Sequence, residues 1–153
     1  MSALPGPGPT SGCFDDRDHL LPLRVYYEDT DAAGIVYYAN YLKFAERARS
    51  ELLRLLGIDQ VALRDRDGLA FAVRRASVDY VSPARLEDLL YVRSRLVELG
   101  GATLAARQKV ERDGTLLADI KVWVACLRLG DGKPGRIPPQ IRQTLAPFCQ
   151  PET

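Results

Sequence analysis

The chain alternates between two hydrophobic periods, and the switches between them outline its elements. Residues 21–27 mix leucine, valine and tyrosine behind Pro22, the signature of a first strand. Polar and small residues break that run over 29–34, and a second apolar run follows at 35–38. From Asn40, placed to cap a helix, Tyr41, Ala45, Ala48, Leu52 and Leu56 recur at helical spacing as far as Gly57. The other side of this long helix carries Lys43, Glu46, Arg47, Arg49, Glu51 and Arg54, a face that water can solvate, with Arg47 and Glu51 spaced to pair. Residues 59–68 read as a short polar helix or loop.

Beyond Gly68 the period becomes that of a strand. Leu69, Phe71 and Val73 alternate, and the apolar positions then change phase to Ala76, Val78 and Tyr80, which predicts a bulge near Arg74 and Arg75. Pro83 ends that strand. Leu90, Val92 and Leu96 mark the next one, Gly100-Gly101 a tight turn, and Leu104, Ala106 and Val110 its partner. Asp113-Gly114 signals a second hairpin, leading into residues 116–127, apolar on both faces and so expected at the sheet's interior or at an interface. A strand, a long helix and then four hairpin-linked strands, without repeated strand–helix alternation, give an α+β class with an antiparallel sheet. One domain over 20–145 is expected, with a flexible Gly- and Pro-rich tail at 1–19 and a C-terminal tail at 146–153.

Composition narrows the function classes. Lys and Arg number 21 against 20 Asp and Glu, a balance that gives no reason to expect nucleic acid as partner. No stretch approaches the ~20 apolar residues of a membrane span, and the opening lacks the pattern of a signal peptide, so a cytoplasmic protein is expected. Cys13, Cys126 and Cys149 form no CxxC pair and read as free thiols. The one histidine, His19, falls in the expected tail, which disfavours imidazole catalysis, and neither a metal nor a cofactor is expected.

Candidate chemistry concentrates where the first polar break meets the helix. Asp29 and Asp31 precede Gly34, and the helix that starts near Tyr38 and Ala39 offers unpaired N–H groups with a partial positive charge. A carboxylate can attack a thioester carbonyl or activate water, while such N–H groups stabilise the oxyanion that forms. Asp-x-Asp before glycine is also a common turn, and spacing alone leaves both readings open. Arg74, Arg75 and Lys121 are expected to be solvated or strand-edge charges, and Trp123 and Tyr91 core aromatics.

The full string Tyr-Tyr-Glu-Asp-Thr-Asp-Ala-Ala-Gly-Ile-Val-Tyr-Tyr-Ala-Asn-Tyr-Leu over 26–42, followed by Glu46-Arg47-Ala48-Arg49, resembles the 4-hydroxybenzoyl-CoA thioesterase family of hotdog proteins, closest to its YbgC branch associated with the Tol-Pal system. The likeness continues through 80–88 and 133–139. It implies a hotdog fold, an antiparallel sheet wrapped around one long central helix, and hydrolysis of acyl-CoA or of an acyl carrier protein thioester without a cofactor. It places the catalytic carboxylate on Asp31, as nucleophile or general base, and the oxyanion donors at the backbone amides near Tyr38 and Ala39. Some YbgC-like proteins have histidine where Tyr38 stands here, which suits Tyr38 to binding or orienting substrate. Asp29 is a candidate for tuning Asp31 or for holding the turn, and Gly34 for close approach of ligand. A homo-oligomer, dimer or tetramer, is implied as well. The competing readings are a hotdog hydratase, which would want a histidine in the site, and a non-catalytic acyl-binding module or envelope-associated scaffold.

Overall fold

The computed structural model describes residues 8–152. Its strands are β1 (Cys13–Asp15), β2 (Asp18–Arg24), β3 (Leu69–Tyr80), β4 (Leu89–Leu99), β5 (Thr103–Arg112) and β6 (Thr115–Arg128), and its helices α1 (Asn40–Leu55), α2 (Gln60–Asp67) and α3 (Pro139–Leu145). All six strands join one sheet in the order β1-β2-β4-β5-β6-β3, each pair antiparallel. The sheet curves around α1, whose Tyr41, Phe44, Ala45 and Ala48 pack on Leu90, Val92, Val110, Ile120 and Val122 in one core. This is the hotdog arrangement of sheet and helix.

Local chemistry explains the boundaries. Asp113 and Gly114 both take left-handed φ, +50° and +79°, the geometry that a two-residue hairpin between β5 and β6 requires. Asp59 caps α2 by accepting from the Ala62 amide at 3.0 Å, and Gly68 ends it at φ +63°. The register of β3 on β6 shifts between Val73 and Arg75, where the phase of apolar positions changes. Strand β6 lies between β5 and β3, inside the sheet, while β3 forms one edge along its twelve residues.

Several expectations need correction. The first strand begins at Asp18 rather than 21 and ends at Arg24, and Cys13–Asp15 adds a strand ahead of it. Residues 13–19 of the expected tail therefore belong to the sheet, and residues 1–7 lie outside the described part. His19 is fully buried, its Nε2 2.7 Å from the Ser11 carbonyl and its ring edge-on to Phe14. The 146–152 segment is also docked: Phe148 stacks on Phe14 at 4.7 Å, the Gln150 amide donates to the Leu96 carbonyl, and Glu152 accepts from Arg107 and Lys121 at 2.6 and 3.0 Å. The polar face of α1 is not uniformly solvated, because Arg49 turns into the core side and Glu51 pairs with Arg54 rather than Arg47. Tyr91 is exposed and Trp123 half-buried, both outside the core, since alternation on β4 and β6 turns them to the outer face. Arg75 is an exposed charge on the edge strand, as expected, and both it and Lys121 also stack over the Trp123 ring, at 4.3 and 5.0 Å.

Candidate active site

The loop from Tyr26 to Ala39 is folded by its own side chains. Tyr27–Asp29 forms one 3-10 turn, and a short antiparallel bridge between Thr30 and Val36 closes the loop behind it. Asp29 is buried. Its Oδ2 accepts from the Tyr26 amide at 2.8 Å and its Oδ1 from the Asn40 side-chain amide at 2.9 Å, so both carboxylate oxygens are committed to tying the loop to the first residue of α1. Asn40 is therefore a strut within the helix, not its cap, and the position before the helix is held by Ala39.

Asp31 sits at the exposed tip of this loop. Its Oδ1 accepts from the Ala33 amide at 2.8 Å, and its own amide donates to the Ile35 carbonyl at 2.9 Å. Both features fix the direction of the carboxylate, while Oδ2 accepts no hydrogen bond from the described residues. Gly34 has φ +78°, and a Cβ built there would meet nothing within 4 Å, so the glycine answers to backbone conformation rather than to crowding.

No side chain among the described residues caps the N-terminus of α1. The Tyr37 amide is taken by the Asp29 carbonyl and the Asn40 amide by the Tyr37 carbonyl, but the amides of Tyr38 and Ala39 find no acceptor among the described residues. Two donors at the positive end of a 16-residue helix are thus free beside the Asp31 loop. The Tyr38 side chain is 62% exposed and stands among aromatic neighbours, Tyr37 at 4.8 Å and Tyr80 at 6.3 Å between ring centroids. Tyr80 donates its hydroxyl to the Tyr38 carbonyl at 2.8 Å, which pins the backbone just ahead of the helix. Burial, and then the neighbouring Tyr38 and Tyr41, push the Tyr80 phenol above its ordinary range, so it remains a donor at neutral pH. Tyr41 accepts from the Ala84 amide at 3.1 Å.

The structure thus brings Asp29, Asp31, Gly34, Tyr38 and Ala39 into one loop and helix start, and adds Asn40 and Tyr80. Neither addition had a sequence signal of its own: Asn40 reads as a cap, and Tyr80 lies 42 residues from Tyr38. His19 is no part of this site. It neighbours Glu51, eleven residues along α1 from Asn40, roughly 16 Å at helical rise. Among the described residues no cluster of three or more metal-binding side chains occurs, and no helix is long and apolar enough to cross a membrane.

A free carboxylate in the loop that leads into an uncapped helix start is a constellation for acyl chemistry. The thioesterase superfamily model matches residues 33–118. The chain belongs to the thioesterase superfamily. It is 44% identical over 127 residues, 83% of this chain and 93% of the relative, to the acyl-CoA thioesterase YbgC of Haemophilus influenzae. Among solved structures it is similar to a probable thioesterase from Bartonella henselae, with 37% identity, TM-score 0.75, and coverage of 79% of this chain and 99% of that one. A hypothetical protein from Thermus thermophilus superposes with TM-score 0.80 at 30% identity, covering 87% of this chain and 98% of that one. Within the superfamily this protein is a thioester hydrolase whose fold is the hotdog of these relatives.

Proposed function

We propose that the protein hydrolyses acyl-CoA thioesters to the free acid and coenzyme A, with Asp31 as the carboxylate that acts on the thioester. The observation that carries this reading is the pairing of a loop-tip carboxylate, one oxygen unbonded, with two acceptor-less amides at the start of α1. The amides of Tyr38 and Ala39 receive the thioester carbonyl oxygen, and their field grows in value as negative charge develops on it. Asp31 either attacks the carbonyl carbon, so that the C–S bond breaks, the coenzyme A thiolate leaves and water then cleaves the resulting anhydride, or removes a proton from a water that attacks the carbonyl and expels the same thiolate. Asp29 and Asn40 hold the Asp31 loop against the helix, Gly34 supplies its turn, and the exposed Tyr38 ring lines the acyl approach.

The resemblance to the YbgC relatives favours coenzyme A as the thiol carrier, and an acyl carrier protein offers the same thioester. A second copy of the chain completes the molecule in this reading. Strand β3 leaves one side of its backbone unpaired over twelve residues and ends at Tyr80, beside the site. The non-catalytic binding module remains the competing reading, and one assay separates the two. Thiol release from short-chain, long-chain and 4-hydroxybenzoyl-CoA is measured for the parent and for Asp31→Asn, which keeps the size and removes the charge. The expected outcome is turnover of at least one acyl class by the parent and a loss on the order of 10²–10⁴-fold in the variant. Equal rates would remove Asp31 from the mechanism, and tight binding without thiol release would leave a binding module.

A further inference from the structure

Away from the Asp31 loop, the C-terminal half of α1 stands off the sheet and leaves a cavity of about 310 Å³. Its walls are mostly hydrocarbon, with Leu53 on α1, Phe71 on β3, Leu96 on β4, Leu104 on β5, Val124 on β6 and Phe148 beyond α3. The volume lies at the lower limit of small-molecule sites, about 300–1,000 Å³. Apolar walls alone would say little about an occupant. The informative residue is Arg49.

Arg49 lines this cavity from α1 and reaches inward to the sheet. Its Nη1 donates to Gln108 Oε1 at 2.9 Å, and Gln108, fully buried, donates in turn to the Ala45 carbonyl at 2.8 Å and to Ser94 Oγ at 2.9 Å. The guanidinium is therefore held in place by a buried amide, which engages one of its five N–H groups and neutralises none of its charge. Glu46, also on the cavity wall, is the acidic group whose charge it feels, yet no carboxylate among the described residues forms an ion pair with it. Burial disfavours the charged form of Arg49, and the charge of Glu46 opposes that only in part. A guanidinium on a mostly apolar wall, with one N–H on Gln108 and no ion pair among the described residues, matches a carboxylate on an apolar chain.

We propose that this cavity binds an aliphatic carboxylate, with its head group on the free N–H groups of Arg49 and its chain between α1 and the inner face of the sheet. The ligand class is that of the acid which thioester hydrolysis releases. The proposal does not require turnover, because binding is measured with no thioester present. A protein that hydrolyses nothing could still bind the acid, and an active thioesterase could fail to.

The test is calorimetric titration of the full chain with decanoate and, as a control of equal length without charge, decanol. Decanoate is expected to bind saturably at one site per chain and at least tenfold more tightly than decanol. Arg49→Gln should weaken decanoate binding at least tenfold and leave decanol unchanged, and Arg49→Lys, which keeps the charge but loses the fork, should bind decanoate more weakly than the parent and more tightly than decanol. Leu53→Trp, which fills the cavity, should abolish binding of both. Thermal unfolding identifies any variant that fails to fold, and Arg49→Lys and Leu53→Trp then decide between them. No saturable uptake of decanoate by the parent would overturn the proposal, as would folded Arg49→Gln or Leu53→Trp protein that binds like the parent.

Discussion

At the scale of single residues, the site depends on which carboxylate is engaged and which is free. Asp29 and Asp31 are two positions apart, yet the first is buried and satisfied at both oxygens while the second is exposed and bonded at one. The sequence shows both as acidic residues in a turn; only the position of Asn40, folded back from the helix, distinguishes them. Asn40→Ala should therefore leave one oxygen of a buried carboxylate without a donor and destabilise the fold by about 1–3 kcal/mol, measured by urea denaturation. It should also lower kcat for thioester cleavage more than it raises KM, because the loop that aims Asp31 loosens. A kcat unchanged beside a lower stability would limit Asn40 to a structural role.

His19 makes a second prediction at this scale. Burial lowers its pKa from 6.5, opposed by its contact with the Ser11 carbonyl and by the charge of Glu51. The unfolded chain therefore binds a proton below pH 6.5 that the folded chain refuses, and stability must fall as pH drops from about 6.5 toward the lowered folded value. Because His19 is the only histidine, that window is not confused by another imidazole. Denaturation midpoints at pH 7.5 and 5.5 should differ in the parent and converge in His19→Gln. Equal midpoints in the parent would mean that the imidazole titrates alike in both states. Nothing in the sequence announced this burial, since the strand that carries His19 opens in a run of Gly, Pro and Asp.

At the scale of elements, the regular parts were legible and the irregular part was not. The hairpins at 100–101 and 113–114, the bulge in β3 and the interior position of β6 follow from turn chemistry and from the phase of apolar residues, and the structure has them all. Asn40 and Tyr41 also lie at the start of the expected helix. The departures have one cause: periodicity reports which side of an element is apolar but not which charged side chain finds a buried partner. Arg49 sits on a face rich in charge and still reaches Gln108 through the core. In the same way the loop over 26–39 has no period, so its hydrogen bonds had to be seen. Gly34 tests how that loop is held. Open space around it means that Gly34→Ala should lose only the left-handed backbone preference, on the order of 1–2 kcal/mol in stability, with thiol release largely retained. A collapse of kcat/KM in a stable Gly34→Ala protein would show that substrate uses the space itself.

At the scale of the molecule, the sheet has one long edge without a neighbour among the described residues. Residues 73–77 of β3 are exposed although they include Val73 and Ala76, and a cluster of exposed tyrosines, Tyr37, Tyr38 and Tyr80, lies by the strand's C-terminal end. Two copies joined edge to edge at β3 would bury both, and antiparallel pairing would bring the Tyr80 end of one strand toward the Leu69 end of the other. Sedimentation at micromolar concentration should thus report at least twice the 17.0 kDa chain mass. A single-chain mass would leave β3 as a free edge and the tyrosine cluster open to solvent.

The stack at the bulge gives this edge an optical readout. Arg75 on β3 and Lys121 on β6 hold the Trp123 ring at 4.3 and 5.0 Å, and the chain contains one tryptophan. Its emission is therefore the signal of a single indole, placed beside the last strand of the sheet and shielded from water by a guanidinium that belongs to that strand. Any event that shifts Arg75, whether a neighbour arriving on the edge or the edge fraying from β6, changes the polarity and quenching that the indole senses. The protein carries its own label there, and dilution, salt and ligand titrations can be followed at β3 without attaching a dye.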